Sequence, residues 1–282
     1  MQFYSLRFDE FARHKPWPFT RLSDWPALNR RIAVEVVAAL KQAEKDRRQL
    51  MVICPVGPLD YSYWAELMNR EQTDGSYLVT INMDEFVNES GELIEMSHPL
   101  SFRRYMKERL FDRLEGSARV PAENVHFPLP EAPEQATALI ERHGGADYCA
   151  SGIGLSGHFA FNDPPAPDEP CNDDEVRNSR TRLVKLCPES LAQMCMGGTA
   201  GNWAIIPKTA MTLGMYELLL SKKIHLTFMR DWHAGILRQA LFGPVTGRCP
   251  ASFIQEHGNV EVTVTELAAR LPPVNVTLSI GQ

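Results

Sequence analysis

A histidine and a carboxylate share one glycine-rich turn in this chain, and that pairing is the first place to look for acid–base chemistry. The run Gly152 to Pro164 reads GIGLSGHFAFNDP and follows directly on a short apolar strand expected over Tyr148–Ser151. Gly152, Gly154 and Gly157 let the backbone turn sharply and approach a ligand closely. His158 and Asp163 then lie within one loop, and Ser156 adds a hydroxyl two residues before the histidine. Such turns also serve as plain structural punctuation, so the motif needs support from elsewhere in the chain.

That support comes from a pair of adjacent carboxylates. Tyr77 to Met83 (YLVTINM) reads as a buried strand after the turn residues Asp74 and Gly75, and it runs straight into Asp84 and Glu85. Open α/β sheets bind ligands outside the carboxyl ends of their strands, so both constellations are expected to face one crevice. The competing expectation is that Asp84 or Glu85 caps the segment that follows.

The elements that must position these residues alternate along the chain. Helices are expected over Ala27–Lys45, Tyr61–Asn69, Phe102–Leu114, Glu134–Arg142, Thr209–Leu220 and Ala234–Phe242. Strands are expected over Leu50–Cys54, Tyr77–Met83, Tyr148–Ser151 and Ile224–Met229. Strand and helix taking turns in this way predicts a mostly parallel α/β sheet covered by helices on both faces. Two stretches fall outside the alternation. Residues 1–25 read as an arm that wraps the domain or meets a neighbouring subunit, leaving 26–282 as a single domain. Pro164 to Asp174 is proline-rich and acidic and reads as a surface loop, with a lid over the site as the alternative.

Several of these blocks together resemble the glucosamine-6-phosphate deaminase (isomerase) family. They are NMDEF at Asn82 to Phe86, SHPLSF at Ser97 to Phe102, AENVHF at Ala122 to Phe127, the glycine-rich turn itself, and IPKTAMTLGMYELL at Ile205 to Leu219. The resemblance implies a doubly wound, Rossmann-like fold and an aldose–ketose isomerisation of an amino-sugar phosphate, coupled to loss of ammonia. Proton transfer between C1 and C2 of a sugar needs a carboxylate beside the carbon acid, which suits Asp84, and ring opening needs a second acid–base group, which suits His158. Carboxylates orient the histidine in the family, and Asp163 holds one such position. The family's tendency to assemble implies a homo-oligomer.

The departures from the family pattern bear on substrate. Ser156 stands where the family has aspartate, and Asp163 where it has glutamate. Serine can hydrogen-bond to an imidazolium but cannot stabilise it by charge. The family's phosphate loop, of the type TGGT, reads Val56-Gly57-Pro58-Leu59 here, so a nest of donors has lost the Pro58 amide and a hydroxyl at Leu59. Alignment puts the family's phosphate-binding lysine near His233 and its arginine near Gly197. Either the substrate is not a 6-phosphosugar, or Arg230, His233 or Arg238 holds the phosphate. Gly57, Glu85, Gly154, Gly157, Arg230 and His233 are therefore the expected substrate contacts, beside the catalytic set Asp84, His158, Asp163 and Ser156. A weaker likeness joins Arg180, Arg182 and Lys185 to the segment that holds allosteric effectors in some family members; such a charge run is more often a solvated face.

Composition excludes other classes. The chain has 282 residues, 44% of them hydrophobic, and a net charge of −6, which is large enough for a sizeable core and lacks a nucleic-acid footprint. No apolar run reaches membrane-spanning length, and the amino-terminal residues lack a signal-peptide core, so a cytoplasmic protein is expected. Six cysteines without paired spacing indicate neither a disulfide framework nor a metal site, and no cofactor is expected. The partner is a small sugar or sugar phosphate. Two further functions stay open: a 6-phosphogluconolactonase-like hydrolase, which the AFNDP turn disfavours, and a non-catalytic sugar-binding protein.

Overall fold

A computed structural model describes residues 2–57 and 59–272. In chain order its elements begin α1 (Phe11–His14), β1 (Phe19–Leu22), α2 (Trp25–Lys45), β2 (Leu50–Cys54), α3 (Ser62–Glu71), β3 (Leu78–Asn82), β4 (Asp84–Val87), α4 (Phe102–Arg109), β5 (Val125–His126) and α5 (Glu134–Arg142). They continue β6 (Tyr148–Ser151), α6 (Asp173–Arg177), β7 (Arg182–Lys185), α7 (Pro188–Gly198), β8 (Thr209–Thr212), α8 (Met215–Leu219), β9 (Ile224–Phe228), α9 (His233–Phe242), β10 (Val260–Thr265) and α10 (Glu266–Ala269).

Seven parallel strands form the central sheet in the order β1-β10-β9-β6-β2-β3-β5. Strand β2 shows why its sequence is apolar without interruption. Leu50, Val52 and Cys54 pack with α2 and α3, whereas Met51 and Ile53 point the other way, into the layer that holds α5, α8 and α9. Period-two alternation thus feeds two cores, and the sheet is helix-covered on both faces. Helix α2 starts where the sequence offers a stop on the preceding chain. The Asp24 carboxylate accepts from the Ala27 amide at 2.8 Å, and Pro26 fits the first turn.

The chain runs outward from β2 through β3 to β5, then returns to the other side of β2 with β6 and continues to β9 and β10. The order reverses between β2 and β6. At such a reversal in a parallel sheet the loops leaving the carboxyl ends diverge, and ligands generally bind there. The Gly57 loop follows one of them and the glycine-rich turn follows the other.

Three expectations are corrected or refined. The segment Thr209–Leu220 is not one helix: Thr209–Thr212 is strand β8, and a helix begins only at Met215. The break falls at Gly214, the extended N-cap of that helix, where only glycine fits because a Cβ would lie 1.9 Å from the Ser179 carbonyl oxygen. Strand β8 is the middle of a second, antiparallel sheet ordered β4-β8-β7. The segment expected as an arm packs into the domain, supplying the edge strand β1 and burying Phe11 and Trp17 in the core. The proline-rich loop after the turn is tied down by Arg248, whose guanidinium donates to the carbonyls of Pro165 at 3.0 Å, Ala166 at 2.7 Å and Glu169.

Candidate active site

The glycine-rich turn folds back on itself through hydrogen bonds donated by the Gly154 amide to the His158 carbonyl and by the Gly157 amide to the Gly154 carbonyl, each 3.0 Å. Two glycines are sterically required. A Cβ on Gly154 would sit 1.9 Å from His158 Nε2, and Gly157 has φ +85° with Cys249 Sγ pressed against it. Ala160, at φ +52°, takes a left-handed conformation uncommon for a residue with a side chain. Asn162 fixes this bend by donating to the carbonyls of Phe159 at 2.9 Å and Leu213 at 2.8 Å.

Within that frame His158 Nδ1 lies 3.0 Å from Asp163 Oδ1. Ser156 Oγ is 2.8 Å from both atoms. A further hydroxyl, Ser190 of α7, lies 2.8 Å from Nδ1 and 2.6 Å from Oδ1. The other Asp163 oxygen accepts from the Cys187 amide at 3.0 Å. Burial alone would raise the Asp163 carboxyl, but the bond and charge of His158, the Cys187 amide and the Ser190 hydroxyl outweigh it and hold the group well below the usual carboxylate range. Asp163 is therefore an anion at neutral pH. A neutral imidazole is stabilised with its N–H, rather than its lone pair, toward Asp163, which places the lone pair on Nε2. No described residue bonds Nε2, and the side chain keeps 9% of its surface exposed.

Asp84 reaches the same end of the sheet by a second route. Met83 closes β3 with its amide on the Cys54 carbonyl and its own carbonyl accepting from Leu213. Asp84 is then paired with Thr212 of β8, and Thr212 is paired on its other side with Arg182 of β7, so the three share one face. The Thr212 hydroxyl accepts the Phe161 amide at 3.1 Å, and Arg182 donates to Asn162 Oδ1 at 2.8 Å. The small sheet thus carries both the carboxylate and the supports of the histidine turn. No described donor reaches the Asp84 carboxylate. Burial raises its carboxyl well above the ordinary value, with the Glu85 charge adding to the rise, which makes it a stronger base than a solvated aspartate.

Other expected contacts divide. Glu85 points away from Asp84, is sealed at 0% exposure, and supports the start of α4, whose N-cap is Ser101. Its oxygens accept from the Phe86, Phe102 and Arg103 amides and from the Ser101 hydroxyl, so it is not a substrate contact. His233 is likewise structural. Its Nδ1 accepts the Met229 and Arg230 amides at 3.0 and 2.9 Å, and the ring also bonds the Ile153 backbone in the glycine-rich turn. Burial, with Arg230 beside it, pushes it down to about 3, so it offers no positive charge at neutral pH. Arg238 is buried and bonded to the carbonyls of Leu6, Ala234 and Ala269. Arg230 differs: it is exposed, makes no ion pair among the described residues, and lies 3.8 Å from where a Cβ of Gly197 would stand. Space beside Gly57 is open, and Pro58 falls outside the described residues.

Sequence reasoning missed Ser190 and the amide of Cys187. The helix-start signal was present, since Cys187 caps α7 and Pro188 occupies its first turn, which would have set Ser190 beside the cap. Nothing local says that this helix end meets the histidine.

No protein-family model matches the chain. A glucosamine-6-phosphate deaminase of Rhodopirellula baltica is 32% identical over 217 residues, covering 75% of this chain and 78% of that protein. Glucosamine-6-phosphate deaminase 2 of Bacillus subtilis is 28% identical, covering 83% of this chain and 90% of its own length. Among solved structures, a monomeric glucosamine-6-phosphate deaminase superposes with a TM-score of 0.75 at 22% identity, over 90% of this chain and 99% of that one. A 6-phosphogluconolactonase of Thermotoga maritima gives 0.60 at 14% identity, over 88% and 99%. At those identities the structural likenesses speak for the fold alone.

Proposed function

This chain belongs to the glucosamine-6-phosphate deaminase family, and from that premise we propose that it catalyses the isomerisation of a 2-amino-aldose phosphate with release of ammonia. The observation that carries the reading is the state of His158: Nδ1 is held by an ionised Asp163, while Nε2 has no hydrogen-bond partner among the described residues and lies against Gly154 of the turn. His158 Nε2 is the group that moves a proton at the ring oxygen to open the sugar. Asp84 removes the proton on C2 and returns it to C1. The aldehyde carbon becomes a hydroxymethyl group and C2 becomes an imine. Water then adds to the imine, giving the ketone and ammonia, so atoms balance without a redox partner.

The curated relatives' names supply the substrate class, and Arg230 supports its phosphate. It is exposed at the carboxyl end of β9 and makes no ion pair among the described residues, whereas His233 and Arg238 are committed to the fold. A dianionic phosphate needs such a fixed charge where the Gly57 loop offers few donors.

The test incubates the protein with glucosamine 6-phosphate in deuterated water and follows ammonia and deuterium at the transferred position. Wild type is expected to give both, and Asp84→Asn to lower turnover by about 10²- to 10⁴-fold, the range for loss of a general base. Absence of both signals in the folded wild type overturns the reading. Deuterium exchange without ammonia would narrow it to an isomerase.

A further inference from the structure

Ser190 lies on another element than the turn it touches, and its contacts define a job for it. The residue is 1% exposed, yet its hydroxyl is within hydrogen-bond distance of both members of the histidine–carboxylate pair, 2.8 Å from Nδ1 and 2.6 Å from Asp163 Oδ1. Ser156 bridges the same two atoms from the opposite direction in sequence, at 2.8 Å to each. The direct contact is the longest of the set at 3.0 Å. A hydroxyl can accept from Nδ1–H and donate to Oδ1 at the same time, so either serine can bridge the one ring N–H to the carboxylate. With Asp163 ionised, reversing this bridge would face the Nδ1 lone pair with the carboxylate across 3.0 Å, an acceptor-to-acceptor contact.

The two serines are not equivalent. Ser156 is on the turn and moves with His158. Ser190 belongs to the first turn of α7, and the Cys187 amide that holds Asp163 Oδ2 belongs to its N-cap residue, so the amino end of α7 grips the carboxylate by both oxygens. A second tie joins the same helix to the turn, from the Leu155 amide to Gln193 Oε1 at 2.7 Å.

We propose that Ser190 is a positioning residue for His158: docked by α7, its hydroxyl fixes the ring with the proton on Nδ1 and thereby leaves Nε2 free to exchange protons with substrate. The proposal rests on the reading of His158 given above. Ser190 touches no substrate. Its role is exerted through the imidazole, and it makes the seating of α7 a condition for turnover.

The experiment uses the full chain labelled with ¹⁵N in its histidine rings, as wild type, Ser190→Ala and Ser190→Thr, with His158→Gln to assign the His158 signals. Ring ¹⁵N shifts report the tautomer without any turnover, so they stay informative even if the amino-sugar reading fails. Wild type is expected to carry its neutral-form proton on Nδ1. Ser190→Ala is expected to mix the tautomers and to lower kcat about tenfold, the low end for a hydrogen bond to a charged group, with KM unchanged. Ser190→Thr, which keeps a hydroxyl, is expected to restore both. A wild-type ring protonated on Nε2 overturns the proposal whether or not the alanine variant folds. So does a folded Ser190→Ala with wild-type ring shifts and kcat.

Discussion

Two buried histidine–carboxylate pairs stand at opposite ends of the parallel strands, and both measure 3.0 Å. At the carboxyl ends, His158 meets Asp163; at the amino ends, His225 meets Glu35. What separates them is the remaining nitrogen. His225 is fully buried, with Tyr148 also on Nδ1 at 2.7 Å and Thr263 on Nε2 at 2.8 Å. Glu35, His225 and Glu261 offer ligand atoms all within 4.8 Å of one another, the spacing of a metal site, but Lys223 pairs with both carboxylates and Arg31 does the same. That end is a closed network in which both ring nitrogens and both carboxylates have partners, which suits stability. At the other end one nitrogen is left over. A histidine–carboxylate pair becomes a reactive site when its hydrogen-bond inventory is incomplete, and the distance within the pair does not tell the two apart.

The sharpest way to break this comparison is to make the same substitution at both ends. His158→Gln is expected to lower turnover by about 10²- to 10⁴-fold with little change in Tm. His225→Gln is expected to leave turnover unchanged and to lower Tm by several degrees, since a buried network that loses a partner costs about 1–3 kcal/mol. Parallel turnover assays and thermal melts decide it; equal losses of activity at both sites would erase the distinction.

A smaller effect tests the geometry around the free nitrogen. Gly154→Ala places a methyl group where Nε2 now lies, and no positive φ stands in its way. The ring must shift, and a displacement of about 1 Å is expected to lower kcat by about 10²-fold while circular dichroism stays that of wild type. Unchanged kcat in the alanine variant would show that the ring position is not critical.

The mildest test is acid titration. Asp163 is depressed below its unfolded value, and Glu35 is depressed to about 2 against burial by the bonds and charges of His225 and Lys223. Groups with lowered folded values give stability that is complete above the unfolded carboxylate values, about 4, and lost as pH falls through the folded ones. Asp84 has the opposite sign. Its raised value means that ionisation opposes folding as pH rises above about 4, so Asp84→Asn is expected to raise Tm at neutral pH while removing activity. Melting curves from pH 3 to 8 check both signs, and a destabilised Asp84→Asn at pH 7 would contradict the second.

The parts of the site that were legible in sequence are those made within one short segment. The Gly154–His158–Asp163 turn is local, and Gly154 must be glycine for a reason visible once the ring is placed. Strands β2, β3, β6 and β9 were readable because a strand buried on both faces must be apolar throughout. Strand β8 was not, since TAMT carries no clear period and becomes a strand only by pairing with β4 and β7. Strand β10 (VEVTVT) has strong alternation that the sequence reading passed over.

By itself, then, the sequence determined the parallel core and the pairing of imidazole with carboxylate on one turn, because periodicity and short-range spacing are properties of contiguous residues. The tertiary structure alone decided which chemically similar groups are free to react. Glu85 supports a helix start while its neighbour Asp84 has no donor among the described residues, His233 is held neutral by burial and the neighbouring Arg230 while Arg230 itself is exposed, and Ser190 arrives at His158 from a distant helix. The physical reason is that reactivity depends on which hydrogen-bonding valences remain unfilled, and valences are filled by residues far apart in the chain.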